Sequence, residues 1–345
     1  MHQIVSDDIA SILAEPLPWS DLDGKTVLVT GASGMMGQYL VRALITLGNA
    51  RVFGLARSIE KMTTCFSDLL HLDHLTLVSH NVQQPIVLED HIDICIHTAS
   101  SAAYKYYKDS SADCMQTIGF APIHLCNFLN INSIKYGHKP MYLYISTSGV
   151  YGNPTKETIE EGDSSFLDLH NPSTVFIQQK RAAETVALRY AKDYHLDTRI
   201  IRVSSCYGPC AAPDLGLISS DLIANFIASQ PLVLSSDGQD KRQFIYLSDA
   251  ISAIFTVILR GKNQEVYNIA PESAPVSVLD FANMLADLDK QKRAVVVNQK
   301  PNSGYSKSII KGSRLSIEKI KSLGWSPKVD IRDGLNRTVL SYVAN

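Results

Sequence analysis

The sequence predicts an α/β protein, a doubly wound parallel sheet joined to a smaller C-terminal α/β lobe, and three observations carry that reading. Between Lys25 and about Val203, short apolar runs alternate with longer stretches of helical periodicity, the pattern of parallel strands joined by right-handed helical crossovers. The first apolar run leads straight into a glycine-rich turn. Beyond Gly208 the apolar pieces shorten and are interrupted, too short to continue the same sheet.

Taken in order, residues 1–21, ending in Pro16-Leu17-Pro18-Trp19, read as a helical or irregular arm to which no chemistry is assigned. Strands are expected near 25–30, 51–56, 75–79, 92–97, 140–146 and 197–203, and helices near 36–48, 112–134 and 174–194. The second half offers a helix near 219–229, strands near 232–234, 243–246 and 266–269, and helices near 248–260, 277–289 and 331–342, all read as a substrate-capping lobe. The expected division is an arm (1–21), a doubly wound part (22–204) and a mainly capping lobe (205–345) from which some segments return to the first. A ligand of such a protein lies at the carboxyl ends of the strands, between the two parts.

Composition narrows the function classes. A chain of 345 residues that is 45% hydrophobic has ample material for a core, and a net charge of -2 gives no reason to expect nucleic acid or an anionic membrane as partner. The start is acidic and carries no long apolar run, and the stretch from Ile251 to Leu259 is too short to span a bilayer. The six cysteines lack paired short spacings, so reduced thiols in a cytoplasmic protein, with no metal site, are expected.

The chemistry starts at Lys25-Thr26-Val27-Leu28-Val29-Thr30, which runs into Gly31-Ala32-Ser33-Gly34-Met35-Met36-Gly37 and then into Gln38-Tyr39-Leu40-Val41-Arg42-Ala43-Leu44. A turn that brings its backbone against a pyrophosphate cannot carry bulky Cβ groups, and amides at the following helix start supply donors and a favourable dipole. Gly31, Gly34 and Gly37 fit that need, with Ser33, Met35 and Met36 completing the turn.

The glycine spacing resembles that of the short-chain dehydrogenase/reductase superfamily, and four further segments agree. Asp93-Ile94-Cys95-Ile96-His97-Thr98-Ala99-Ser100 is similar to the fourth strand and its cofactor-contacting end. Tyr142-Leu143-Tyr144-Ile145-Ser146-Thr147-Ser148-Gly149-Val150-Tyr151-Gly152 is similar to the fifth strand carrying the catalytic Ser/Thr. Arg202-Val203-Ser204-Ser205-Cys206-Tyr207-Gly208-Pro209 and Arg242-Gln243-Phe244-Ile245-Tyr246-Leu247-Ser248-Asp249-Ala250 are similar to the sixth strand with its loop and to a signature of the extended branch. The resemblance covers about residues 22 to 340 and points to the extended, nucleotide-sugar-modifying epimerase/dehydratase/reductase group with a Rossmann sheet. It implies a nicotinamide cofactor, a nucleoside-diphosphate sugar as substrate, and a homodimer through a four-helix interface built from Ser111 to Ile134 and Thr174 to Tyr194.

The resemblance places the cofactor against Arg57, Ser58, Asn81, Val82, Thr98, Ala99, Ser100 and Lys180 as well as the glycine turn. An NAD-selective site presents an acid after the second strand; here Ala56 is followed by Arg57 and Ser58, and an arginine suits a 2′-phosphate. NADP is therefore favoured over NAD, and both stay open. Asn81 stands where the family usually has an adenine-contacting Asp.

Hydride transfer at a sugar carbon moves a proton as well. In the family a tyrosine supplies it, a lysine lowers the phenol pKa and a Ser/Thr orients the sugar oxygen. Thr147 matches the hydroxyl position and Lys180 the lysine, but Phe176 matches the tyrosine and lacks the hydroxyl. Three readings of Phe176 stand: a substitution engineered to trap substrate, a natural one with the proton supplied by Tyr104, Tyr106, Tyr107, Tyr151 or Cys206, or a natural pseudoenzyme. Ser148 and Gly149 replace the Asp-Glu pair of the 4,6-dehydratases, and Gly149 replaces the Glu of the decarboxylases, which leaves 4-epimerisation or reduction of a keto sugar. Substrate contacts are expected from Thr147, Ser148, Tyr104, Cys206, Asn225 and Arg242, with Lys311 and Arg314 as weaker candidates. Uridine, thymidine, cytidine and guanosine diphosphates all fit.

Overall fold

The computed structural model describes residues 1–100, 111–168, 170–171, 174–211, 217–234, 236–289, 294–298 and 312–342. Seven strands form one parallel sheet: β1 (Thr26–Thr30), β2 (Arg51–Ala56), β3 (Leu75–Ser79), β4 (Ile94–His97), β5 (Met141–Thr147), β6 (Asp197–Val203) and β7 (Glu265–Ile269). Their order is β7-β6-β5-β4-β1-β2-β3, so the chain starts in the middle, builds outward to β3, and crosses back to β4 on the other side of β1. That reversal between β1 and β4 opens a crevice at the carboxyl ends of the strands.

Alternate residues of each strand feed two different cores, which is why the strands read as near-continuous apolar runs. Val27, Val29, Ile96, Leu143 and Ile145 face one layer, where they meet α1 (Gln3–Leu13), α2 (Met35–Leu47) and, from the second half, a helix spanning Leu247–Arg260. Leu28, Phe53, Cys95, Tyr142 and Tyr144 face the opposite layer, made by α3 (Ala121–Tyr136) and α4 (Val175–Tyr194). Glycine at the left-handed C-caps Gly48 and Gly137 stops α2 and α3.

Two expectations change. The strand expected near 266–269 as part of the second lobe is β7, paired in parallel with β6 from Glu265↔Arg199 to Ile269↔Val203; five residues suffice for an edge strand that pairs on one side only. The helix expected over 112–134 is interrupted: Ser111–Met115 is followed by a π-helical turn, Gln116–Phe120, before α3. Pro122 has no N–H to give the Ile118 carbonyl, so the regular i→i+4 ladder breaks there. The N-terminal arm, expected as helical or irregular, carries the helix α1, whose Val5, Ile9 and Ile12 lie in the first core and whose Asp8 is fully buried.

A third core gathers Tyr207, Leu222, Leu234, Phe244, Tyr246, Phe281 and Leu335. The strand pieces there are short: Ser205–Tyr207 runs parallel with Phe244–Tyr246, Leu232–Leu234 with Val296–Asn298, and Lys241–Arg242 runs antiparallel to Val276–Ser277. Among the described residues no helix is long and apolar enough to cross a membrane, and no group of three or more His, Cys, Asp or Glu could hold a metal ion.

Candidate active site

The glycine turn is built by contact, not by flexibility alone. Gly31 has φ +71°, and a Cβ there would sit 2.8 Å from the Ala99 backbone and 2.9 Å from Thr98 Oγ1, so only glycine lets the segment after β4 close on the end of β1. A Cβ on Gly37 would overlap the Gly31 carbonyl oxygen and come within 2.7 Å of Ala32 Cα, so this glycine lets the helix pack on its own turn. Gly34 is the N-cap of α2 and, having no side chain, leaves the amides of Met35, Met36 and Gly37 for a ligand. Its own N–H is used at 2.8 Å by the Gly31 carbonyl, and the Ser33 carbonyl accepts from Gln38 Nε2 at 3.2 Å.

Beside this cradle, Thr98 Oγ1 donates to the Thr30 carbonyl at 2.7 Å, and Thr30 Oγ1 lies 2.7 Å from His97 Nδ1. Burial, with the Lys180 charge nearby, drives the His97 pKa down to about 3, so this imidazole is a neutral strut between β1 and β4. The buried hydroxyls of Ser100, Ser146 and Ser204, at the ends of β4, β5 and β6, have no hydrogen-bond partner among the described residues. Three such hydroxyls, a Cβ-free cradle and uncapped helix amides on one rim fit a phosphate- and hydroxyl-rich dinucleotide.

Lys180, buried on the first half of α4, donates to the Ile145 carbonyl at 2.8 Å, two residues before Thr147 at the end of β5. Thr147 in turn accepts from the Gly149 amide at 3.3 Å and caps the turn Ser148–Tyr151. The Lys180 ammonium stands 5.9 Å from the centroid of the Phe176 ring and 4.8 Å from that of Tyr144. Desolvation lowers its pKa to about 8, opposed by the charge of Glu184, so the amine is still largely protonated at neutral pH. Thr147, Phe176 and Lys180 are thus brought to one place, with Ser148 half-buried in the same turn.

Sequence reading missed what holds that place rigid. Glu184, one turn beyond Lys180, pairs with Arg202 of β6 at 2.7–3.3 Å. The Arg202 guanidinium also covers the Tyr151 ring at 4.7 Å and donates to the Glu161 carbonyl. Tyr151 donates to Asn268 Oδ1 of β7 at 2.6 Å. These residues stand 18 to 117 positions apart, and no local spacing announces such a pair.

Two expected proton sources do not fit. The Tyr151 hydroxyl is committed to Asn268, and burial pushes its pKa up to about 12. Burial likewise drives the Cys206 thiol well above its ordinary range, with Asp249 reinforcing the shift; Cys206 lies on the short strand Ser205–Tyr207, half-buried. Tyr104, Tyr106, Tyr107 and Lys311 lie outside the described residues. Arg314 is exposed, on a two-residue strand beside Thr158.

Beyond the end of β2 the side chains form a connected set. Ser58 is the N-cap of the helix Ile59–Cys65, accepting from Lys61 N at 3.1 Å and donating to Glu60, so its hydroxyl has a structural duty. Arg57 Nη1 lies 3.9 Å from Asp113 Oδ2. Asn81 Oδ1 accepts from the Gln83 amide, while the Val82 side chain is in the core and leaves only its backbone for a ligand. On the far side, Asn225 is half-buried on Ile218–Ile227, and Arg242 is on the strand paired with Val276–Ser277, where burial lowers its pKa against the charge of Asp240.

A doubly wound sheet whose central crevice carries a glycine cradle on β1 and a Thr147/Lys180 pair on β5 and α4 defines an extended short-chain dehydrogenase/reductase fold. Residues 27–270 match the model of the NAD dependent epimerase/dehydratase family, and the chain belongs to that family. It is similar to UDP-glucuronic acid decarboxylase 1 of Arabidopsis thaliana, 26% identical over 321 residues covering 92% of this chain and 69% of that protein. Among solved structures it is similar to UDP-glucuronic acid 4-epimerase from Bacillus cereus in complex with UDP-glucuronic acid and NAD, with a TM-score of 0.78, 24% identity and coverage of 92% and 98%. The epimerase Mth375 from Methanothermobacter thermautotrophicus is similar too, with a TM-score of 0.80, 22% identity and coverage of 98% and 95%.

Proposed function

We propose that the chain binds a nicotinamide dinucleotide in the β1/β4 crevice and a nucleoside-diphosphate sugar beneath the second lobe, and that its chemistry is 4-epimerisation or reduction of a 4-keto sugar. The observation that carries this reading is the convergence of Lys180 and Thr147 at the end of β5, beside the glycine cradle. Gly31, Gly34, Gly37 and the amides of Met35 and Met36 would hold the pyrophosphate. Lys180 would hold the nicotinamide ribose, and Thr98, Ala99 and Ser100 would line the same edge. The bound nicotinamide supplies the hydride acceptor or donor. Thr147 then orients the sugar oxygen, and Arg242 anchors the diphosphate through a charged fork.

The similarity to decarboxylases does not extend to the carboxylate that reaction uses. A Cβ on Gly149 would sit 3.1 Å from Ile177 Cδ1, so a side chain there would require that isoleucine to give way by a few tenths of an ångström. The same contact disfavours the Asp-Glu pair of the 4,6-dehydratases. Phe176 favours a second reading, a nucleotide-sugar-binding protein without turnover.

Calorimetric titration of uridine and thymidine diphosphate sugars against the dinucleotide-loaded protein tests the assignment. Arg242→Ala is expected to weaken nucleoside diphosphate binding by about 10- to 100-fold, the scale of a charge-assisted hydrogen-bonded pair. Absence of binding by any nucleoside diphosphate would remove the substrate class. The exposed Phe120, Ile131, Ile134 and Tyr194, on and beside α3 and α4, support a homodimer through these helices. Light scattering is expected to report twice the mass of one chain, and a monomer at micromolar concentration would refute the interface.

A further inference from the structure

We propose that Asp113 sets cofactor choice, selecting NAD over NADP by occupying Arg57; this rests on the dinucleotide reading above. Arg57 directly follows β2, whose end lies beside the glycine turn, since Ala32 N donates to the Leu55 carbonyl at 3.1 Å. That is the end of the site where an acid binds ribose hydroxyls or an arginine receives a 2′-phosphate. By itself Arg57 argues for NADP. In the folded chain it faces the Asp113 carboxylate at 3.9 Å, a partly exposed pair of modest strength that nonetheless sets a negative charge beside the arginine.

Asp113 is held there from behind. Its Oδ1 accepts from Gln83 Nε2 at 2.6 Å, and the same nitrogen is 2.9 Å from Thr117 Oγ1 in the π-helical turn. Gln83 is fixed in turn by both ends of the Asn81 amide, at 3.1 and 3.3 Å. A chain of side-chain hydrogen bonds therefore runs from the loop after β3 to the helix after β4, with the carboxylate at its end directed at Arg57. A dianionic 2′-phosphate seated on Arg57 would be forced close to that carboxylate, and like charges at such a separation repel even near the surface. A ribose 2′-hydroxyl is neutral, can donate to a carboxylate, and meets no such opposition. Asp113 thus supplies from a different element the negative charge that β2 lacks after Ala56.

The test is direct binding of NAD and NADP to the whole protein, read by calorimetry, with no turnover required. The wild-type chain is expected to bind NAD more tightly than NADP by on the order of tenfold. Asp113→Asn retains an oxygen for Gln83 but loses the charge; the two affinities should converge, mainly through tighter NADP binding. Adding Arg57→Ala to that variant should remove the gain. Arg57→Ala alone, which leaves Asp113 unopposed, should widen the NAD preference. A wild-type preference for NADP, or an NAD:NADP ratio unmoved by Asp113→Asn and by Arg57→Ala, overturns the assignment while leaving the dinucleotide reading intact. Failure of the wild-type chain to bind either dinucleotide overturns both.

Discussion

Phe176→Tyr is expected to raise turnover of the cognate nucleotide sugar by about 10²- to 10⁴-fold, the usual worth of a positioned general acid–base group. The Phe176 ring centroid lies 5.9 Å from the Lys180 ammonium, and Lys180 is fixed on the Ile145 carbonyl, two residues before Thr147. An installed phenol, ordinarily near ~10, should titrate lower because the ammonium favours its anion. The two groups titrate as a coupled pair, so for epimerisation, whose first step removes the sugar hydroxyl proton, the rate should rise with pH through an apparent pKa below ~10, whereas for reduction, in which the phenol donates, it should fall through the same value. Adding Lys180→Met should abolish the gain. Turnover by the chain with Phe176 equal to that of the tyrosine variant would show that the proton comes from another group, which Tyr151 and Cys206 are poorly placed to be.

Much of this arrangement was legible in the residues because it is made by local pattern. The strands that feed two cores show as β-branched runs, and the glycines of the turn are required by contacts within seven residues and with Thr98 and Ala99. Thr147 and Lys180 belong to recognisable short segments. What stayed hidden is long-range. β7 looks like any short strand until β6 offers it an edge, and Arg57 looks like a loop cation until Asp113, 56 positions later, comes to face it. The Glu184–Arg202 pair and the Tyr151–Asn268 bond likewise join elements whose adjacency only the sheet order creates. Tyr151 was a reasonable proton donor by position in its segment; strand alternation and the 3-10 turn carry its side chain to Asn268 instead.

Asp8→Ala should be the most destabilising single change in the N-terminal arm. The carboxylate has no solvent exposure and accepts from Tyr39 Oη at 2.8 Å and Tyr246 Oη at 2.7 Å, with Arg337 Nη1 at 3.3 Å. Alanine leaves two buried phenol hydroxyls without that acceptor at the junction of α1, α2 and the second lobe. At about 1–3 kcal/mol for each of the two unsatisfied hydroxyls, a loss of roughly 2–6 kcal/mol follows in urea unfolding. Asp8→Asn keeps an acceptor and should cost less, and its pH dependence separates charge from shape. Burial raises the Asp8 pKa above its ordinary value despite the hydrogen bonds from Tyr246 and Tyr39 and the Arg337 charge. The folded chain therefore holds this proton more tightly than the unfolded chain. Its contribution is fully present below the unfolded value of ~3.9 and is lost as pH rises through the folded value. The stability of the wild type relative to Asp8→Asn should accordingly fall as pH rises from about 4 and level off once Asp8 is ionised in both states. A difference that grows with pH instead would mean that pairing with Arg337 outweighs desolvation, and that the arm is fastened by charge.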